Sequence, residues 1–387
     1  MTDRSPSSGP LAGLRVIEIA GIGPGPFAAM MLADHGAEVI AIERPGGVRA
    51  GSGLDPMTDI LRRSRRSIAL DLKSQGGRSV LRKLLRNADG LIEGFRPGVM
   101  ERLGLGPDIA LSDNPHLVYG RVTGWGQHGS LADTAGHDIN YIAIAGVLGL
   151  IGDEDRGPIP PLNLIADFGG GGMMLAFGMV AAMLHARNTG EGQVVDCAMT
   201  DGAALLASMI WSNRAAGRWN DRRCANTLDG GAHFYGVYRA ADGYLAIGAI
   251  EPAFYARFLE TLGLDGDRDF HRQRDEELWP ELKRRVARVI ATRTRDEWVA
   301  IFSGIDACVS PVLDMGEALE FPHNRERGTF VEIDGLVQPA PAPRYSRTSL
   351  NQPSKPVAPG SDRAAILSDL GMDEAEIRRL EAEGAFG

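Results

Sequence analysis

The chain is poor in cysteine: Cys197, Cys224 and Cys308 are the only three in 387 residues, and none forms a CxxC pair. So sparse and odd a set excludes a disulfide framework and a thiolate zinc site, and it suits a reducing compartment. Basic residues are outnumbered, and a formal net charge of −9 excludes a general nucleic-acid binder. The opening MTDRSPSSGP lacks the apolar core of a signal peptide, and no later run is expected to reach the length of a membrane span. The closing AFG is neither a peroxisomal nor an ER address. These absences predict a cytoplasmic protein with no nucleic-acid partner and no membrane span. What remains is ordinary for a soluble globular protein, 44% hydrophobic and 24% charged, over a length that calls for two domains.

LRVIEI (14–19) reads as a buried strand that runs into the turn AGIGPGP and the helix FAAMMLADHG. EVIAIE (38–43) and SIALDL (67–72) are further strands, the basic helix GGRSVLRKLLRNAD follows, and GLIEGF and HLVYGRV continue the series. This alternation predicts an α/β fold, a Rossmann-like parallel sheet with helices on both faces. Past residue 139, IAIAGVLGLIG and FGGGGMMLAFGMVAAMLHAR read as apolar helices of core type; the strand VVDCAM and a long helix through Met209 and Trp211 come next. HFYGVYRAADGYLAIGAI reads as a hairpin turning at Asp-Gly, with helices at 252–263, 279–292 and 295–302. The expected plan is a large domain over 1–210 completed by a return of 335–387. A smaller α+β domain covers 228–320, and linkers lie at 211–227 and 321–334. VQPAPAPRYSRTSLNQPSKPVAPGS is a proline-rich connector, and DEAEIRRLEAEG an amphipathic final helix.

Gly21, Gly23 and Gly25, with Glu43 at the end of the second strand, imitate a dinucleotide fingerprint. Pro26 stands where the third glycine belongs, and neither Pro24 nor Pro26 has the N–H that a pyrophosphate needs. The stretch reads as a tight turn with proline in the first helical turn. Ligands of doubly wound sheets bind outside the carboxyl ends of the strands, where Arg44, Lys73 and Arg96 fall. Three cations at one rim suit a small polyphosphorylated ligand. The run Arg62, Arg63, Arg65 and Arg66 reads instead as a solvated face.

In AGHDINY (135–141), a helix starting near Ile139 places its positive end at His137 and Asp138. That field favours a neutral, proton-accepting imidazole, and the free amides suit an oxyanion. The plain alternative is that Asp138 or Asn140 merely caps the helix. In PLNLIADFGGGG (161–172), Asp167 is either an N-cap or a second acid–base group, beside four glycines that permit close approach of backbone and ligand. Glu251, in IGAIEP, ends an apolar strand. An imidazole and a carboxylate at two helix mouths point to a two-base site.

Through AGHDINY, PLNLIADFGGG, LDGGAHFY, GAIEP and DACVSPVL, the sequence resembles the α-methylacyl-CoA racemase branch of the family III CoA-transferases, from about residue 11 to about 345. The resemblance implies an interlocked homodimer whose large domain binds CoA while the small domain of one subunit closes its partner's site. It implies an isomerase that epimerises (R)- and (S)-2-methylacyl-CoA thioesters through an enolate, with an acyl-CoA substrate and no metal or redox cofactor. By similarity, His137 and Asp167 serve opposite faces of the α-carbon, Glu251 partners the histidine, and the backbone around Asp138 holds the thioester oxygen. The implied CoA contacts are Arg44, Leu70, Asp71, Leu72, Lys73, Gly94, Phe95, Arg96, Arg102, Gly136, His137, Asp138, Ile139, Asn140 and Tyr141. The alternative within the family is a CoA-transferase that uses Asp167 as nucleophile. One departure is His233, standing where the family has proline; if its loop lines an acyl pocket, a second imidazole joins the proton inventory. Met173, Met174, Met179 and Met183 read as core filler or as a pliable surface for acyl chains.

Overall fold

The computed structural model describes residues 8–46 and 55–387. In chain order it runs β1 (Arg15–Ile19), α1 (Pro24–Asp34), β2 (Glu38–Glu43), β3 (Arg65–Ala69), α2 (Gln75–Leu85), β4 (Gly90–Glu93), α3 (Val99–Arg102), α4 (Pro107–Asp113), β5 (Val118–Thr123) and α5 (Asp138–Ile144). A small pair, β6 (Gly152–Asp153) and β7 (Gly157–Pro158), precedes a π-helical segment, Leu164–Met173, that continues into α6 (Met174–Thr189). Then come β8 (Gln193–Ala198), α7 (Met199–Leu206), α8 (Ser208–Ala215), β9 (Tyr235–Arg239), β10 (Tyr244–Gly248), α9 (Pro252–Leu262), α10 (Trp279–Ile290), α11 (Arg295–Phe302) and β11 (Val309–Pro311). The chain closes through α12 (Met315–Glu320), α13 (Pro322–Arg327), β12 (Phe330–Ile333), β13 (Leu336–Pro339), α14 (Arg363–Asp369) and α15 (Glu374–Ala382). The expected single helix through Met209 and Trp211 is two, broken at Ala207.

Two compact units emerge. The first runs to Ala145 and takes in Leu162–Leu206 and Gly328–Gly387; the second is Gly146–Pro161 with Ala207–Arg327. The second unit therefore differs from a domain over 228–320: it claims 207–227 and 321–327, most of the two expected linkers, and also 146–161. The Arg223 guanidinium donates to the carbonyls of Gly149 and Asp153, which ties that segment down.

In the first unit all six strands of the main sheet are parallel, in the order β3-β2-β1-β4-β5-β8. Val16, Ile17, Val39, Ile40, Leu91 and Ile92 are all but fully buried, as sequence runs buried on both faces should be. On α2, Val80, Leu81, Leu84 and Leu85 recur at helical spacing and are no more than 1% exposed, each contributing about 1.5–3 kcal/mol by leaving water. The strand order reverses between β1 and β4, so the ligand crevice of this fold class lies beyond their carboxyl ends.

The arginine run is not a solvated face. Arg62, Arg63 and Arg65 are buried. Arg62 pairs with Glu43 at 2.5 Å, and Arg63 grips Asp34 through two bonds, at 3.0 and 2.5 Å. Arg65 pairs with Glu18, and Arg66 bridges Glu38 and Asp369 at 2.6 and 2.7 Å. Each cation is matched by an acid on α1, a central strand or α14, the condition under which charge is tolerated inside. Arg65 and Arg66 are themselves strand residues, paired with Val39 and Ile40, so the third strand starts two residues before the expected one. Glu43, the apparent ribose acid, is engaged by Arg62 and Ser67.

The apolar stretch after Asp167 also departs from expectation. Leu164–Thr189 is one continuous 26-residue helical run, by length and composition enough to cross a membrane. In the protein α6 packs on β5 and β8, with Leu175, Met179, Ala182, Met183 and Ala186 buried. Met179 and Met183 are therefore core filler. The opposite side is not core: Met173, Phe177, Val180 and Leu184 form an exposed stripe, Phe177 at 73%.

The second unit builds a three-stranded sheet, β11-β10-β9, antiparallel throughout. Its core gathers Phe234, Phe258, Phe270, Trp279 and Trp298. His233 belongs to this core, fully buried, and is no part of a pocket lining. Its Nε2 lies 2.6 Å from the Tyr255 hydroxyl, which donates to the Phe270 carbonyl at 2.9 Å, so Nε2 carries the proton and donates. Burial pushes its pKa down to about 4, which keeps this second imidazole out of any proton inventory at neutral pH.

Candidate active site

Two helix starts of the first unit come together. His137 is the extended N-cap of α5 (φ −133°, ψ 174°). The Asn140 Oδ1 accepts the His137 N–H at 3.0 Å, and the Asn140 N–H donates to the His137 carbonyl at 2.8 Å. Asn140 thus caps this helix, while the His137 imidazole stays exposed. Asp138 does something else. Its carboxylate is 4% exposed, and a single oxygen, Oδ2, accepts the Ala166 N–H at 2.7 Å and the Asp167 N–H at 2.8 Å. Two first-turn donors of the next helical segment, which need outside partners, are satisfied from α5.

Asp167 is not the N-cap of its segment; Asn163 is. Four residues on, along the same helical face, the Asn163 amide donates to Asp167 Oδ2 at 3.1 Å. Burial acts most strongly on the Asp167 carboxyl and lifts its pKa above the usual aspartate range; the Asn163 bond and the His137 charge oppose, and the Asp138 charge adds to the rise. Such a carboxyl holds its proton to higher pH than a solvated aspartate, which equips it to act as acid as well as base. The turn after β1 reaches the same group: a Cβ on Gly23 would sit 3.4 Å from Asp167 Oδ2. That places the pair at the reversal of strand order.

Tyr141, 6% exposed, sets its ring edge-on to Trp125 at 4.8 Å. Burial, and then the Asp167 charge, push its hydroxyl up to about 12 against the pull of Arg96, so it stays protonated. The four glycines do not open a path to a ligand. A Cβ on Gly170 would fall 2.7 Å from the Ala203 nitrogen, and one on Gly172 would fall 2.6 Å from the Phe27 ring. The glycines let the π-helical segment pack directly on α7 and α1.

Because the strands are parallel, Arg44, Lys73 and Arg96 share one edge of the sheet, after β2, β3 and β4. All three are exposed, as is Arg102. Among the described residues, none of Arg44, Lys73 and Arg96 pairs with an acid. Leu70 is 2% exposed and part of the core, leaving only its backbone for a ligand. Asp71 shapes the turn by accepting the Lys73 N–H at 2.9 Å, while its own N–H donates to the Ala385 carbonyl at 2.8 Å. Leu72 and Phe95 are partly buried against the core, Gly94 is exposed, Gly136 is half-buried and Ile139 is 42% exposed. Glu251 lies in the second unit, where it is the exposed N-cap of α9 with no side-chain capping bond.

Two neighbours of Asp167 escaped sequence reasoning: Gly23, read only as part of a tight turn, and Asn163. Asn163 carried a readable signal, its spacing of four from Asp167. Gly23 carried none, because its proximity arises only when the end of β1 meets the segment that begins at Leu164.

A doubly wound α/β protein with an imidazole and a carboxyl at its switch point defines the class. The family model for CoA-transferase family III matches residues 11–363, and the chain belongs to that family. It is 46% identical to an α-methylacyl-CoA racemase of Mus musculus and 44% identical to one of Homo sapiens, each alignment covering 96% of both chains. Among solved structures it is similar to a CAIB/BAIF family protein from Brucella suis, at a TM-score of 0.82 and 26% identity, covering 94% of this chain and all of that one.

Proposed function

We propose that this protein interconverts the (R) and (S) forms of 2-methylacyl-CoA thioesters by moving one proton off the α-carbon and another on. The carrying observation is the joined pair of helix starts, which brings together one backbone that bears an imidazole and one that bears a carboxyl of raised pKa. His137 takes the α-proton from one face, the electron pair moves into the thioester carbonyl as an enolate, and the Asp167 carboxyl returns a proton to the other face. In the reverse direction Asp167 is the base and His137 the acid. One proton leaves and one arrives, so the step is redox-neutral. The Asp138 N–H, at the free end of α5, donates to the enolate oxygen; such donors contribute on the order of 3 kcal/mol each. Arg44, Lys73 and Arg96 take the CoA phosphates, and Glu251 orients His137 in an assembled homodimer. The exposed stripe Met173–Phe177–Val180–Leu184 supports that assembly, since exposed apolar stripes seek partners.

A transferase needs Asp167 ionised as a nucleophile. A second acid–base group, His137, rather than a carboxylate alone, favours proton transfer instead. Incubation of a single 2-methylacyl-CoA in deuterium oxide, with no acceptor acid, decides between them. The proposal expects deuterium at the α-carbon and inversion; CoA transfer to added carboxylate without α-exchange would overturn it.

A further inference from the structure

We propose that the Asp138 side chain is the positioning residue of the site, a buried clamp that fixes the backbone of Asp167 relative to that of His137. This rests on the two-base reading and adds to it a role for a side chain whose backbone alone was assigned above.

A buried carboxylate is costly unless it is well partnered. A helix start is ordinarily capped by a short polar side chain immediately before it. Here the acceptor comes instead from 28 and 29 residues away in sequence, from the residue following His137. One oxygen takes both amides while the other, Oδ1, is buried with no hydrogen-bond partner among the described residues. This geometry is poor for stability alone and good for registration. His137 and Asp138 are one peptide unit apart, and Asp138 Oδ2 is 2.8 Å from the Asp167 nitrogen. One side chain therefore links the two base-bearing backbones directly. Asn163 then fixes the rotation of the Asp167 carboxylate from within its own helical segment. Two bases that must straddle one carbon need this, because about 1 Å of misplacement costs on the order of 100-fold in rate.

Asp138→Ala and Asp138→Asn test the clamp by turnover of a 2-methylacyl-CoA and by amide hydrogen exchange over residues 164–173. In Asp138→Ala, kcat falls about 100-fold while KM stays within about three-fold, and the Ala166 and Asp167 amides exchange at least about ten-fold faster. Asp138→Asn keeps an acceptor oxygen, so it recovers at least about ten-fold of the lost kcat together with amide protection. Unchanged protection in Asp138→Ala, or an Asp138→Asn as slow as Asp138→Ala despite restored protection, overturns the clamp. If the wild-type protein exchanges no α-hydrogen, the proposed function fails, whereas amide protection in the two variants still reads the clamp.

Discussion

Replacing Gly23 by alanine separates the backbone demands of the site from its chemistry. Gly23 adopts φ 70° and ψ −119° as the N-cap of α1, a region that residues with a Cβ scarcely enter. The added methyl would meet Asp167 Oδ2 at 3.4 Å, ordinary contact, so the cost is backbone strain rather than collision. Strain of that kind amounts to about 1–3 kcal/mol. In a unit this large it lowers Tm by roughly 2–4 °C per kcal/mol, so a drop of about 2–12 °C is expected. The turn relieves the strain by rotating, which moves its backbone against the Asp167 carboxyl. Epimerisation should then fall about 10- to 100-fold, while CoA affinity, proposed to rest on Arg44, Lys73 and Arg96 at the other strand ends, should hold within a few-fold. Calorimetry and α-deuterium exchange on the same sample read both effects. A Gly23→Ala protein as stable as wild type would refute the backbone argument, and one that is less stable but fully active would refute the coupling to Asp167.

Arg96→Ala and Arg44→Ala should each weaken CoA binding about ten-fold, with the loss shrinking at high salt as expected for phosphate contacts; calorimetric titration checks this, and kcat at saturation should change little. His233 is neutral when folded, its pKa lowered to about 4 from 6.5. The unfolded chain therefore binds the extra proton first, and stability falls as pH drops from about 6.5 towards 4, by at most about 3 kcal/mol; denaturant melts from pH 7 to pH 4.5 should flatten in His233→Gln. In the proposed homodimer, Phe177→Glu with Leu184→Glu should shift the sedimentation coefficient from dimer to monomer, because the exposed stripe on α6 then carries charge.

The main sheet was legible because VIEI and EVIAI are too apolar for any surface, and strand β2 falls at Glu38–Glu43, the expected residues. The proposed acid–base residues His137 and Asp167 stand out in the sequence as polar groups at or near the starts of apolar helices. The arginine run was misread because its partners Glu18, Asp34 and Glu43 are acids that central strands and α1 turn inward, and linear sequence does not show which way an acid faces. His233 was misplaced for a similar reason: LDGGAHFY carries no mark that its ring is enclosed by Tyr255 and Phe270. Periodicity identified α6 as apolar, yet a helix apolar all round gives no hint of which face stays uncovered.

In the proposed reaction two acid–base groups address opposite faces of one carbon, and single-base variants test this most directly. Each enantiomer of a 2-methylacyl-CoA is incubated in deuterium oxide with His137→Ala and, separately, with Asp167→Asn. The expected result is complementary: neither variant inverts the centre at more than about one part in 100 of the wild-type rate, and each still exchanges the α-hydrogen of one enantiomer, the opposite one in the two cases. Exchange of both enantiomers by one variant, or persistent inversion in either, would contradict it.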